Sequence, residues 1–206
     1  LRAVLKDLRG SLNPQALVIS IIAGAAMQTI SEGLQHPRIV RAMPNTPAQI
    51  GEGITVWTAA REVDGDQRAI TQRILGALGV EVYVEEETYL DMATALSGTG
   101  PAYVFLFMEA LIDAGVHLGF PRRIAEQLVT QTVLGSVRYV QANKTHPAAL
   151  RNQVTSPGGT SAEALYYLEK AGFRTALSRA VWAAYERSQE LGQGINGQNP
   201  ERKPGA

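Results

Sequence analysis

The sequence predicts an α/β fold in its first part and an all-α fold in its second part, with the change near residue 86. Before that point, short runs of β-type residues alternate with helical patterns, as is typical of a parallel sheet with crossover helices. After it, no convincing strand pattern occurs and apolar residues recur at helical spacing. The prediction is therefore an α/β, partial Rossmann-like domain followed by an all-α helical domain that serves dimerisation.

The predicted elements follow from the spacing of apolar residues. Four strands are expected in the first part, at 17–22, 39–43, 54–58 and 80–84. Between the last two, Ile70, Ile74 and Leu75 predict a helix, and Gly79 is a candidate for its left-handed stop. Five helices are expected in the second part, at 101–118, 121–142, 147–153, 161–171 and 175–191. The predicted domains are thus 1–86 and 87–192, and the polar residues 193–206 are expected to form a disordered tail.

Composition narrows the possible partners and location. Among 206 residues, 19 basic and 19 acidic side chains cancel, so neither a nucleic-acid surface nor an anionic-membrane surface is indicated. The absence of cysteine fits a reducing compartment, and a cytoplasmic location is predicted. The apolar stretch 103–116 contains Glu109 and Asp113, which predicts a buried helix and no membrane span. The three histidines lack metal-site spacing, so no metal is expected.

The first helix of the second part is hydrophobic nearly all round, so it must be covered on more than one side. A partner subunit could supply that cover. Small residues on the last predicted helix would permit close helix approach: Ala176, Ala180, Ala183 and Ala184. A compact monomeric bundle is the alternative.

Residues 154–161, VTSPGGTS, have the composition of an anion-binding loop. Two glycines let backbone N–H groups approach a ligand, four hydroxyls add donors, and the following helix contributes its unpaired N–H groups and dipole. A proline–glycine turn with a Thr or Ser N-cap is the other interpretation. A second segment of similar style, LSGTGPAY at 96–103, also precedes a long predicted helix, with Pro101 in its first turn.

Taken in order, these motifs resemble the pyrroline-5-carboxylate reductases, which reduce a cyclic imine to proline with a nicotinamide cofactor. The similarity covers roughly residues 17–191. Its segments are RAMPNTP at 41–47, ALSGTGPAYVF at 95–105, GFPRR at 119–123, the pair His146-Pro147, and VTSPGGTSAEAL at 154–165. The resemblance implies a homodimer with interlocked helical domains, and often larger rings of dimers.

The resemblance also implies which residues bind the substrate, pyrroline-5-carboxylate. Backbone N–H groups of Gly158, Gly159 and Thr160, helped by Ser156, would hold its carboxylate. The Ser161 hydroxyl is the predicted catalytic donor, directed toward the ring nitrogen or a water beside it. The family usually has threonine at this last position, and serine keeps the hydroxyl but loses a methyl group.

Two further implications concern Glu87 and the cofactor. Glu87 occupies a position where the family places an acidic residue near the substrate; a solvated member of the Glu85–Glu87 run is the alternative. The expected cofactor is NADP, with NAD possible. Its predicted contacts come from Ile21, Ala23, Gly24, Asn45 and Gln153, the last of which is asparagine in relatives.

Imine reduction suits the acid–base groups of this chain. Hydride transfer to a protonated imine needs a fixed carboxylate and a modest donor, whereas carbonyl reduction by related hydroxyacid dehydrogenases calls for a lysine or similar acid. None of the four lysines is an obvious buried acid: Lys6, Lys144, Lys170 and Lys203. A related imine or 3-hydroxyacid reductase remains an alternative, as does a non-catalytic helical dimerisation module.

The glycine-rich turn of a dinucleotide fold, G-x-G-x-x-G after a first strand, does not occur in this sequence. Family members carry that element before the region matched by Leu1. We therefore expect the sequence to be one part of a longer chain; a truncated relative that no longer binds the cofactor well is the alternative. As written, it is expected to bind NADPH weakly or not at all.

Overall fold

A computed structural model describes residues 1–195, which contain a four-stranded sheet and nine α-helices in that range. The chain divides into two compact units. One comprises Leu1–Pro101 together with the chain from Ala180 onward, and the other is Ala102–Arg179. The predicted boundary at residue 86 stays a prediction. The last helix continues through Ile195, and the rest of the predicted tail, 196–206, lies outside the described residues.

The sheet of the first unit is mixed. Its strands lie in the order β1 (Val18–Ser20), β2 (Ile39–Met43), β3 (Gly53–Ala59) and β4 (Gly79–Tyr83). The outer pairs are parallel, but β2 and β3 are antiparallel, so the prediction of a parallel sheet is wrong at its centre. The connection between β2 and β3 holds only a short 3-10 helix, Thr46–Ile50, whereas a parallel crossover needs a dozen or more residues.

Helices cover both faces of this sheet. On one face, α1 (Arg2–Leu8) and α2 (Met27–Leu34) form a core around Leu5, Ala25, Ile30, Leu34 and Ile39. On the other face, α3 (Gly65–Gly76) contributes to a core of Val40, Ala42, Trp57, Val63 and Leu75. Because side chains alternate along a strand, Arg41 lies on the same face of β2 as Ile39.

The helix predicted between β3 and β4 is confirmed as α3, but its end was placed wrongly. Asp64 accepts a hydrogen bond from the Gln67 N–H at 2.9 Å and completes a capping box at the start of the helix. The helix ends at Gly76, before the predicted stop at Gly79. Gly79, with φ of +130°, begins β4, and a Cβ there would lie 2.2 Å from the Gly53 carbonyl oxygen. Close approach of two strands therefore requires this glycine.

The helix predicted at 101–118 is confirmed at Gly100–His117, but it is part of a longer continuous helical run, Tyr89–His117. The run comprises α4 (Tyr89–Ala93), a π-helical turn (Thr94–Gly98) and α5 (Gly100–His117). Three hydroxyls in this region donate to backbone carbonyls of the preceding turn at 2.7–3.0 Å, those of Thr94, Ser97 and Thr99. The second glycine-rich segment is therefore not a free helix start, and the analogy with residues 154–161 is wrong.

The second unit is helical throughout its described elements. After α5, the chain forms α6 (Arg122–Asn143), α7 (Pro147–Gln153), α8 (Thr160–Lys170) and α9 (Phe173–Ile195), and α9 continues into the first unit. These helices confirm the sequence prediction closely. In the part of this unit that the structure describes, only Ala125 and Leu150 are buried.

No residue of α5 is buried, so the prediction of a buried helix at 103–116 is wrong for the single chain. Phe105 and Leu106 are 60% and 67% exposed. By length and composition, the run Tyr89–His117 is the one helical segment among the described residues that is compatible with crossing a membrane, and one such helix is weak support for a span. The apolar surface of α5 needs a cover that the single chain does not supply.

Candidate functional site

The carboxyl ends of β1 and β2 lie at one edge of the sheet, because these strands are parallel and Ser20 pairs with Arg41. Ligands of open α/β sheets bind outside the carboxyl ends of parallel strands. The predicted cofactor contacts Ile21, Ala23 and Gly24 follow β1, and Asn45 follows β2. The structure therefore brings four of the five predicted cofactor residues to the same edge.

Residues 21–26, which connect β1 to α2, form a tight turn that we call the β1 turn. Its Ala25 N–H donates to the Ile22 carbonyl at 3.3 Å, and Gly24 has φ of +74°. A Cβ on Gly24 would lie 2.6 Å from the Gly192 backbone nitrogen, so this glycine is needed where the turn meets α9. Ile21 is exposed. The turn thus presents an apolar side chain outward and packs its glycine inward.

Asn45 connects the end of β2 to the start of β3. Its side-chain oxygen accepts a hydrogen bond from the Ile54 N–H at 3.0 Å. Beside it, the π-helical turn packs against Met43, since a Cβ on Gly98 would lie 2.9 Å from the Met43 Cε. Single π turns occur frequently at functional sites. Sequence reasoning missed this turn because hydrophobic periodicity does not distinguish it from an α-helix.

Glu87 belongs to a partly buried set of charged and polar groups. Its Oε1 accepts from the Met27 N–H at 2.7 Å and from Arg41 Nη1 at 3.0 Å. Arg41 Nη2 donates to Asp91 Oδ1 at 2.9 Å, and the Ser188 hydroxyl donates to the same oxygen at 3.2 Å. We call Arg41, Glu87, Asp91 and Ser188, with the Met27 amide, the Arg41 network.

The sequence patterns did not predict the Arg41 network, although the sequence contains one signal for it. Arg41 is the only charged residue in the strand sequence IVRAM, and its side chain is only 5% exposed. A buried guanidinium requires anionic partners. Glu87 supplies one of them, so the interpretation of Glu87 as a freely solvated carboxylate is wrong. Its predicted contact with substrate stays a prediction.

Residues 154–161 form a turn that leads into α8. The Gly159 N–H donates to the Ser156 carbonyl at 3.0 Å, with Pro157 and Gly158 between them. Gly158 has φ of +71°, and proline followed by a positive-φ glycine is the signature of a type II turn. A Cβ on Gly159 would lie 2.5 Å from the Ser156 hydroxyl oxygen. The two glycines are therefore required for different reasons, backbone conformation and close packing.

The start of α8 is left without a side-chain cap. Its N-cap residue is Gly159, which has no side chain to accept from the first helical N–H groups, so the predicted Thr or Ser N-cap is wrong. Thr160 and Ser161 are the first two residues of the helix, and Gln153 is the exposed last residue of α7. Uncapped N–H groups and the helix dipole together favour an anion at this position.

Two of the three histidines have structural partners. His36 is buried, with Nε2 2.7 Å from the Ala16 carbonyl, and His146 Nδ1 accepts from the Ala148 N–H at the start of α7. Across residues 1–195, no group of three or more His, Asp or Glu side chains is arranged to hold a metal ion.

Comparison with protein families decides the affiliation. The model of the pyrroline-5-carboxylate reductase dimerisation domain matches residues 87–191. The chain belongs to the pyrroline-5-carboxylate reductase family. The resemblance drawn from the sequence is thereby confirmed, as are the predicted fold class and the presence of a dimerisation domain.

Individual relatives agree with this affiliation. The chain is 49% identical over 190 residues to a pyrroline-5-carboxylate reductase of Synechocystis sp., covering 92% of this chain and 70% of the relative. It is 41% identical over 189 residues to that of Escherichia coli K12, covering 91% and 70%.

Solved structures of this family have the same fold. A pyrroline carboxylate reductase of Plasmodium falciparum with NADP bound superposes with a TM-score of 0.88 at 38% identity, covering 93% of this chain and 72% of that one. The reductase of Coxiella burnetii gives a TM-score of 0.83 at 40% identity, covering 92% and 71%.

Proposed function

We propose that this protein reduces pyrroline-5-carboxylate to proline, the last step of proline biosynthesis, with hydride from NADPH. Family membership supports this reaction, and the uncapped start of α8 is the structural observation that carries it. A glycine-lined turn with free helix N–H donors suits a small carboxylate better than a neutral ligand.

The substrate binds through its carboxylate to the backbone N–H groups of Gly158 and Thr160, with the Ser156 hydroxyl beside them. The Gly159 N–H, predicted as a further donor, already donates to the Ser156 carbonyl in the turn. The nicotinamide, when bound, supplies a hydride to the imine carbon of the protonated substrate and is itself oxidised. The C=N double bond becomes a single bond, and the nitrogen keeps its proton. The Ser161 hydroxyl donates toward this nitrogen or a water next to it.

The cofactor is held by the strand-end edge of the first unit, through Ile21, Ala23, Gly24 and Asn45. The predicted contact of Gln153, which belongs to the second unit, stays a prediction from the sequence. The exposed apolar side chain of Ile21 and the nearby amide of Asn45 suit a flat amide-bearing ring. The relative with NADP bound favours NADPH over NADH. The lack of cysteine supports a cytoplasmic location.

The active form is a homodimer or a ring of dimers, in which a second copy covers the apolar surface of α5. The exposed side chains that favour this are Val104, Phe105, Leu106, Phe107 and Leu111. We propose the corresponding functional division at residues 86 and 87, which the start of the family match supports.

Substitution of Ser161 tests the assignment in a chain extended by the amino-terminal part that family members carry, and every assay with NADPH uses this extended chain. Loss of one well-aimed transition-state donor costs about 10- to 1000-fold in turnover, so Ser161→Ala should lower kcat for pyrroline-5-carboxylate by that range. Ser161→Thr, which keeps the hydroxyl, is the matched control and should stay close to the unsubstituted enzyme. Equal kcat values for the three proteins would remove Ser161 from the mechanism.

A substrate panel separates the alternatives. A 3-hydroxyacid reductase would oxidise NADPH with keto acids in preference to cyclic imines. A non-catalytic dimerisation module would turn over neither and would not bind proline in calorimetry.

A further inference from the structure

The β1 turn is held at its far end by a helix cap that comes from a distant part of the sequence. The turn ends where α2 begins, and the α2 N-cap residue, Ala26, makes no side-chain cap. The Glu87 carboxylate instead accepts from the Met27 N–H, 60 residues away in sequence. A carboxylate at a helix N-terminus satisfies an otherwise unpaired donor and interacts favourably with the helix dipole.

A second restraint on the β1 turn comes from α9. Gly24 and Gly192 approach so closely that a Cβ on Gly192 would lie 2.9 Å from the Gly24 carbonyl oxygen. Ser188 lies four residues before Gly192, so both residues occupy the same face of α9. Ser188 is buried and donates to Asp91. The hydrogen bond to Asp91 therefore fixes the helix face against which the turn packs.

Arg41 joins these two restraints. One of its terminal nitrogens binds Glu87 and the other binds Asp91, so a single buried cation holds both carboxylates. The planar fork of a guanidinium can serve two acceptors at once, whereas a lysine ammonium is a point charge on a flexible stem. Arg41 itself lies in β2, pairs with Ser20 across the sheet and is almost fully buried.

We propose that Arg41 is a positioning residue for cofactor binding, which acts through Glu87 and Asp91 to fix the β1 turn. The inference rests on the proposed function, in which this turn contacts the nicotinamide cofactor. The proposal predicts an effect on cofactor binding but not on substrate binding. Weakening the Arg41 network loosens the turn and reduces affinity for NADPH, while the turn at residues 154–161 keeps its own geometry and its affinity for the substrate carboxylate.

The test compares Arg41→Lys with Arg61→Lys. Arg61 forms an exposed ion pair with Glu62, so its substitution is the matched control. Amide hydrogen exchange of residues 24–27, measured without ligand, should be faster by about 3- to 10-fold in Arg41→Lys, the size usual for indirect coupling, and unchanged in Arg61→Lys. Exchange in α3 should stay the same in both variants.

Steady-state kinetics supply the second measurement. In Arg41→Lys, KM for NADPH should rise about 3- to 10-fold, while KM for pyrroline-5-carboxylate stays within about twofold. Unchanged exchange at residues 24–27 would overturn the proposal, as would an equal rise of both KM values. If Arg41→Lys does not fold, Ser188→Ala removes only the link to α9 and should give the same pattern at smaller amplitude.

The exchange measurement does not depend on catalysis. A chain that fails to reduce the imine, yet loosens at residues 24–27 in Arg41→Lys, would refute the proposed function and leave the positioning role standing. The reverse result, active enzyme with an unaltered β1 turn and NADPH affinity, would refute the positioning role alone.

Discussion

The two units differ in where their apolar residues lie. In the first unit, Ile39, Val40 and Trp57 are at most 1% exposed, and helices cover both faces of the sheet. In the second, the side chains of α5 face outward, and Leu106 is 67% exposed. Burial of apolar surface is the main stabilising contribution to a fold. The first unit therefore holds a core of its own, whereas the second leaves the apolar surface of α5 exposed in the single chain.

Charged groups differ between the units in the same way. The ion pairs of the second unit lie at its surface, as Arg122 with Asp113 and Arg174 with Glu169 show. Exposed pairs of this kind contribute little to stability. The first unit has an exposed pair as well, Arg61 with Glu62, but it also buries Arg41 between two carboxylates. Burial makes the geometry of such a group specific, because an unpaired charge there is strongly unfavourable.

The largest expected effect breaks the association of the second unit. The double substitution Phe105→Glu and Leu106→Glu places two charges on the surface that a partner is proposed to cover. Burial of unpaired charges should weaken dimerisation by at least about 1000-fold, equivalent to ~4 kcal/mol. Sedimentation velocity over a dilution series measures this change directly.

Ile70→Glu is the control for that experiment. Ile70 is an exposed apolar residue on α3 in the first unit, 41% exposed, and its substitution should leave the dimer intact. A double variant that sediments as the unsubstituted dimer would show that α5 is not at the interface. Loss of the dimer in the control would point to a general effect of added charge.

A smaller expected effect tests the same contrast between the two units through the free energy of unfolding. Ile39→Ala removes a fully buried side chain from the core of the first unit and should lower the free energy of unfolding by about 3 kcal/mol. Because this core is internal to one chain, the loss should be the same at all protein concentrations. Phe105→Ala should instead cost little at concentrations where neither protein dimerises, because Phe105 is exposed in the single chain, and should cost more as the unsubstituted protein associates.

Chemical denaturation at widely separated protein concentrations distinguishes the two variants. If the loss for Ile39→Ala grows with protein concentration as much as that for Phe105→Ala, the first unit does not have an independent core. The two units would then differ only in how exposed their apolar side chains are.

Local patterns accounted for most elements, and their failures have a common cause. Strand positions and the helices after residue 120 follow from periodicity and turn residues, which act over a few positions. The direction of β3 does not follow from these patterns, because its apolar run suits a parallel or an antiparallel strand. Only the short link at residues 44–52 decides between the two directions. The partners of Arg41 lie 46 and 50 residues away in sequence, beyond any local pattern.

The candidate site shows the same limit. The glycines of the turn at 154–161 were predicted from their local chemistry, and the structure gives each a physical reason. The resemblance between that turn and residues 96–103 misled, since glycine, serine and proline suit both a helix start and a π turn within a helix. Hydrogen bonding of Thr94 and Ser97 to carbonyls of their own helix distinguishes the two cases.

The smallest expected effect compares two helix starts. In α3 the Asp64 carboxylate caps the helix, whereas α8 starts at Gly159 without a side-chain cap. Asp64→Ala should lower the free energy of unfolding by about 1 kcal/mol, and Asp64→Asn, which keeps the acceptor, should lower it much less. Proline, as a carboxylate ligand, should raise the melting temperature of all three proteins by the same amount, because its site is at α8. If proline instead stabilises Asp64→Ala more than the unsubstituted protein, the ligand occupies the start of α3, and the carboxylate site must be assigned to the first unit.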